Sequence, residues 1–78
     1  MTGITLKLVD AYRIDAAFGN RLVAWSVRDN YGWSIHAREP NGDVATVDRV
    51  QVDDPFLTRP LVLLKLHKAA VARLDGAA

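Results

Sequence analysis

The sequence predicts an α+β fold: a four-stranded antiparallel β-meander with one C-terminal amphipathic helix packed on its aromatic face. Two patterns support this prediction. Apolar and polar residues alternate with a period of two across residues 21–52, which is typical of half-buried antiparallel strands. Residues 58–74 instead repeat apolar side chains at helical spacing. The 78 residues are expected to form one small domain, 1–78.

The first predicted strand runs through residues 4–18 and is interrupted near its middle. Its apolar residues share one parity, but Asp10 falls in that series on the side that should be buried. Because a buried charge is costly unless it is paired, we expect a bulge or a break near Asp10 and Ala11.

A two-residue hairpin is predicted at residues 19–20, where glycine can supply the positive φ of a type II′ turn. This hairpin would pair Ala16 with Val23 and Ile14 with Trp25. Trp25 is therefore expected on the buried face.

The connection at residues 28–32 is predicted to have an odd length, three or five residues. A two-residue loop at Asp29-Asn30 would place Trp25 opposite Ser34 and turn the apolar side of one strand outward. An odd loop keeps both apolar sides on one face. The predicted buried aromatic residues are Tyr12, Phe18, Trp25, Tyr31 and Trp33.

A turn at residues 40–43 precedes the fourth predicted strand. The valines of that strand do not keep one parity, so a bulge is expected near Asp48-Arg49. The strand region should end at residues 53–55.

The C-terminal helix is predicted to begin at Thr58 as N-cap, with Pro60 in the first turn, and to stop at Gly76. On a helical wheel one stripe should face the sheet, with His67 and Val71 at its margin. The stripe comprises Leu63, Leu66, Ala70 and Leu74.

Size and composition narrow the function classes. A chain of this length buries only about 60% of the surface of its unfolded form, so a homodimer is a natural way to stabilise it. Ten Lys+Arg against nine Asp+Glu give a formal charge of +1, which disfavours nucleic-acid binding by bulk charge. Without cysteine or a long apolar run, the protein is expected to be soluble, unexported and cytoplasmic, with no membrane contact.

The polar side of the sheet is the first candidate site. With the aromatic residues on the other face, it would lack stacking platforms for bases, so nucleic acid is less favoured than a protein partner. We expect partner binding by Arg13, Arg28, Arg38, His36 and Lys7. The other predicted members of this face are Asp15, Ser26 and Ser34.

Catalysis and metal binding are not predicted. Ser26, Ser34, His36 and Asp15 could form a hydrolytic triad only on paper, because no nucleophile elbow or oxyanion turn accompanies them. His67 has no second ligand at a suitable spacing. The chain is therefore expected to be no enzyme and to need no cofactor and no metal.

A second candidate surface is acidic. Five carboxylates cluster around the fourth predicted strand and its exit, without the spacing of a calcium loop. They would serve solubility and complement the helix N-terminus, or else dock a basic partner. These residues are Glu39, Asp43, Asp48, Asp53 and Asp54.

These observations favour a non-enzymatic protein-binding module that occupies a surface of a larger protein or ribonucleoprotein. Small size, the lack of a catalytic motif and a composition rich in Arg, Asp, Ala and Val suggest a phage or mobile-element inhibitor, in the manner of anti-CRISPR proteins. The alternative is a small nucleic-acid-binding accessory protein that uses the basic sheet face.

Overall fold

The computed structural model describes residues 3–39, 41–51 and 55–76, which form five strands and one helix. The elements are β1 (Ile4–Asp10), β2 (Arg13–Phe18), β3 (Arg21–Asp29), β4 (Gly32–Arg38), β5 (Val44–Gln51) and α1 (Pro55–Gly76). The strands form one antiparallel sheet in chain order. The α+β architecture is therefore confirmed, but with five strands instead of the predicted four.

The additional strand arises at Asp10, where the sequence predicts a bulge or a break. The chain reverses completely there, and a turn at residues 11–12 separates β1 from β2. The Asp10 carboxylate accepts a hydrogen bond from the Tyr12 N–H at 2.7 Å. Asp10 is exposed at this turn, so its charge stays in water and carries no burial cost.

The hairpin between β2 and β3 turns at residues 19–20, as predicted, but its register does not continue as predicted. Ala17 pairs with Leu22, whereas Ala16 pairs with Ala24, so Val23 is an extra residue in β3. A β-bulge of this kind shifts every later pair by one position. Because side chains alternate between faces, the shift exchanges the two faces of β3.

The exchange has two consequences. Ser26 pairs with Ile14 and is fully buried in the core, whereas Trp25 pairs with Asp15 on the other face of the sheet. The predicted burial of Trp25 is therefore wrong, and so is the predicted exposure of Ser26. Both errors follow from one inserted residue.

The loop between β3 and β4 also differs from the prediction. Asp29 pairs with Gly32, so the connection is the two-residue loop Asn30-Tyr31 and not an odd-length loop. The odd length was required only to keep Trp25 on the same face as Trp33. Once the bulge moves Trp25, an even loop keeps the buried sides of the two strands together.

The strands β4 and β5 pair with a second bulge. Ile35 pairs with Asp48 and His36 with Thr46, so Val47 is the extra residue, next to the predicted position. The predicted turn at 40–43 lies partly outside the described residues. Of the predicted strand exit at 53–55, residues 53–54 lie outside them, and Pro55 is already helical.

Helix α1 begins at Pro55, before the predicted start. Proline is suited to the first helical position, where its missing N–H would have no partner. Thr58 is consequently a buried residue inside the helix and not its N-cap, and Pro60 lies beyond the first turn.

The core lies between α1 and one face of the sheet. On the helix, Val62, Leu66 and Ala70 are fully buried, while Leu63 and Leu74 pack at the margin. The predicted stripe is thus shifted to one side. On the sheet, the fully or nearly fully buried residues are Ile14, Ala16, Val23, Ala24, Trp33, Ile35, Ala37 and Val50.

The aromatic residues do not share one face. Trp33 is in the core with 4% exposure, whereas Tyr12 is 62%, Phe18 47% and Tyr31 81% exposed. Trp25 lies half-buried on the side of the sheet away from the helix. The predicted aromatic face is therefore not what α1 covers.

Candidate functional site

The outer face of the sheet, on the side away from α1, carries the candidate site. Its central row is fixed by the strand register, because residues paired across antiparallel strands lie on the same face. Trp25 lies in the middle of this row, on the third of five strands. In strand order the row reads Lys7, Asp15, Trp25, His36 and Thr46.

Trp25 contacts one side chain on each neighbouring strand, Arg13 on β2 and His36 on β4. The His36 imidazole stacks on the indole at 5.9 Å between ring centroids, with an interplanar angle of 28°. The Arg13 guanidinium carbon lies over the indole, 5.8 Å from its centroid. Aromatic stacking and cation–π contacts of this kind hold the indole in one orientation.

The groups around the indole are themselves anchored. Arg13 Nε donates a hydrogen bond to the Asp15 carboxylate at 2.7 Å, and Thr46 Oγ1 lies 3.1 Å from His36 Nδ1. We call Arg13, Asp15, Trp25, His36 and Thr46 the outer-face cluster. It presents a pre-oriented tryptophan with polar groups along its edges.

The charge on this face is smaller than the sequence predicts. Arg13 and Asp15 form an ion pair whose side chains are 39% and 24% exposed, so they largely neutralise each other. Lys7 is paired across the strands with the same Asp15 and is exposed. The outer-face cluster is therefore an aromatic site with balanced charge and not a strongly basic patch.

The five predicted partner-binding residues do not share one surface. Lys7, Arg13 and His36 lie together in or beside the outer-face cluster. Arg38 has the parity of His36 but lies at the far end of β4, exposed. Arg28 pairs with the buried Trp33, so it lies on the helix side, at the opposite end of the sheet.

The predicted acidic surface is mostly engaged within the chain. Glu39 binds Arg73 through two hydrogen bonds of 3.1 Å, and Asp48 accepts one from Lys65 Nζ at 3.0 Å. The Lys65 contact lowers the pKa of the Asp48 carboxyl, with help from the Arg49 N–H. Asp53 and Asp54 lie outside the described residues.

A groove lies between α1 and β5. Its volume is about 440 Å³, and alanines at positions 37, 69 and 72 form part of its lining. Two of its cations, Lys65 and Arg73, already hold Asp48 and Glu39. The groove therefore offers less unsatisfied binding capacity than its charges suggest.

The fold separates the residues considered for a hydrolytic triad. Ser26 is buried in the core, on the opposite face from His36 and Asp15, and its Oγ has no hydrogen-bond partner among the described residues. Within the described ranges, no group of three or more His, Cys, Asp or Glu could hold a metal ion. Helix α1 is not long and apolar enough over its described residues to cross a membrane.

Sequence reasoning missed Trp25 as the centre of the site, although one signal pointed to it. With strict alternation in β3, Trp25 and Trp33 could lie on the same face of the sheet only if the loop at residues 28–32 had an odd length. A parity change inside β3 removes that conflict, and the small residues Ser26 and Ala24 suit a sheet position tightly covered by a helix.

Comparisons with protein-family models, with curated proteins and with solved structures found no match.

Proposed function

We propose that this chain is a non-enzymatic protein-binding module and that the outer-face cluster is its interface. The observation that carries the proposal is a half-buried tryptophan, held by Arg13 and His36, at the centre of a sheet face that α1 does not cover. Tryptophan and arginine are the residues most enriched in the energetic centres of protein interfaces.

The shape of the surface supports the same proposal. Trp25 lies on a continuous face of five hydrogen-bonded strands, which suits a broad partner surface better than a small ligand. The partner would be a larger protein or ribonucleoprotein. Inhibition on behalf of a phage or mobile element is the role we favour from size and composition.

The proposal is tested by affinity capture from a bacterial lysate with the wild type and two variants. Trp25→Ala should weaken binding of the captured partner at least tenfold, because truncation at an interface centre costs about 2 kcal/mol or more. Leu64→Ala is the matched control, because Leu64 is 62% exposed on the helix. A partner that binds both variants equally would place the interface elsewhere.

Nucleic-acid binding is a second candidate, favoured by the position of Trp25. The sequence argued against it because no aromatic residue was expected on the outer face, and that objection no longer applies to Trp25. If the outer-face cluster binds nucleic acid, a single-stranded 12-nucleotide RNA should bind through base stacking and phosphate contacts, with an affinity that falls steeply as the salt concentration rises. We expect no appreciable affinity at physiological salt, since Arg13 is already paired with Asp15.

A homodimer is compatible with either function. Strands β1 and β5 are the two edges of the sheet in this chain, and edge strands are places where a second copy can pair. Sedimentation at micromolar concentration decides the matter: a species of 8.6 kDa would rule out a stable dimer in that range.

A further inference from the structure

We propose a second recognition surface at one end of the sheet, built from two turns of the same design. The first turn is Asp10-Ala11-Tyr12 between β1 and β2, and the second is Asp29-Asn30-Tyr31 between β3 and β4. In each, the aspartate Oδ1 accepts a hydrogen bond from the tyrosine N–H, at 2.7 Å and 2.8 Å. The sequence therefore repeats an Asp-x-Tyr unit in neighbouring hairpins.

The two turns are joined to each other. The Arg28 N–H donates a hydrogen bond to the Tyr12 carbonyl oxygen at 2.8 Å, which links the end of β3 to the first turn. A hollow of about 440 Å³ lies between them, lined by Tyr12, Arg28, Asp29 and Asn30. We call these four residues and Tyr31 the turn-end surface.

Both tyrosine side chains are exposed, and hydrogen bonds to aspartate hold the backbone that carries them. Tyr31 is 81% and Tyr12 62% exposed, and Asp29 holds a second backbone group, the Gly32 N–H, at 3.1 Å. Exposed tyrosine combined with asparagine and arginine is the composition of antibody binding loops, where tyrosine supplies contact area at a low cost in conformational entropy.

The charges of the turn-end surface indicate what it would bind. The Asp29 carboxylate is occupied by two backbone N–H groups and by Arg49 at 3.4 Å. None of the ion pairs among the described residues includes Arg28, so its guanidinium is open to an incoming group. Arginine binds carboxylates through two parallel hydrogen bonds.

The expected partner is therefore an acidic protein segment that places a carboxylate on Arg28 and side-chain surface on Tyr12 and Tyr31. A nucleic-acid backbone fits less well, because Arg28 can hold one anionic group whereas the exposed Asp10 carboxylate would repel the further phosphates that a nucleic acid must bring; a peptide needs to bring only one carboxylate. This surface is separate from the outer-face cluster, so it does not depend on the function proposed above.

The test uses a phage-displayed library of random 12-residue peptides, selected on the whole chain. Enriched peptides should be acidic, and their Kd should rise at least tenfold for Tyr31→Ala and for Arg28→Glu. The matched control, Leu64→Ala, should stay within twofold of the wild type. Urea unfolding of each variant should confirm that the fold is retained, as expected for exposed positions.

Amide chemical shifts locate the peptide. Shifts confined to residues 10–12 and 28–32 would support the proposal. It would be overturned by no enrichment, by peptides insensitive to both variants, or by shifts of the Trp25 indole, which would indicate the outer-face cluster. Loss of binding to a 12-nucleotide oligouridylate in the same variants, without peptide binding, would also overturn it in favour of RNA.

Discussion

Among the described glycines with a positive φ, Gly32 is the one where an added side chain would clash with backbone atoms. Its φ is +145°, in a region that residues with a side chain rarely adopt. A Cβ added there would overlap the Val50 carbonyl oxygen and lie 2.9 Å from the Gln51 Cα. Both contacts are to the backbone of the paired strand β5, so no side-chain rotation can relieve them.

Gly32→Ala should therefore be strongly destabilising. The backbone conformation contributes about 1–3 kcal/mol and the overpacking about 1–3 kcal/mol, which gives about 2–6 kcal/mol in the free energy of unfolding. A single hydrophobic core in a domain of this size rarely supplies more than about 3–5 kcal/mol of stability, so the variant should be partly or largely unfolded.

Gly19→Ala is the matched control. Gly19 also has a positive φ, +63°, but a Cβ there would meet no heavy atom within 4 Å. It should lose only the conformational part, about 1–2 kcal/mol. The difference between the two variants therefore combines the steric contact with β5 and the greater backbone strain at the φ of Gly32.

The measurement is urea unfolding followed by far-UV circular dichroism, with the slope of the transition compared between variants. If Gly32→Ala unfolds at the same urea concentration as Gly19→Ala, then β4 and β5 do not approach closely at this point. The pairing of Gly32 with Gln51 would then be wrong.

Three further predictions follow from burial and charge. Trp33→Ala should cost about 3–5 kcal/mol in urea unfolding, whereas Trp25→Ala should cost clearly less because Trp25 is not in the core; equal losses would contradict the face assignment. Leu66→Ala should cost about 2–5 kcal/mol by the same measurement, and a loss below 1 kcal/mol would mean that α1 does not pack as described. The hydrogen bond from Lys65 lowers the pKa of Asp48 in the folded protein, so the ionised carboxyl stabilises the fold above its unfolded pKa of about 3.8, and this stability is lost as the pH falls through the folded value. Asp48→Asn should therefore make the free energy of unfolding depend slightly less on pH in the acid range. An unchanged pH dependence would contradict the ion pair.

The elements of this fold were predictable because each depends on local chemistry. Alternating side chains identified the strands, and Gly19-Asn20 identified a hairpin from residues adjacent in the chain. The period of the C-terminal segment identified the helix and the buried positions Leu66 and Ala70. Even the reversal at Asp10 was marked by a charge that could not stay buried.

The candidate site was predictable only in part. Lys7, Arg13 and His36 lie on the outer face. The register shift between Leu8 and Asp10 leaves Lys7 opposite Asp15, and β2 and β4 alternate regularly at Arg13 and His36. Arg28 does not lie on that face, because it follows the bulge at Val23 and lies with the helix-facing residues of β3.

What the sequence determined is which regions form the antiparallel sheet and which region forms the helix, because that choice is made by neighbouring residues. What only the tertiary structure decided is which face of β3 meets the helix, and so whether Trp25 is buried or presented to a partner. A single extra residue, Val23, reverses that answer. With this bulge, the small side chains of Ala24 and Ser26 occupy the buried positions that face α1. The larger indole of Trp25 lies on the other face, between Arg13 and His36.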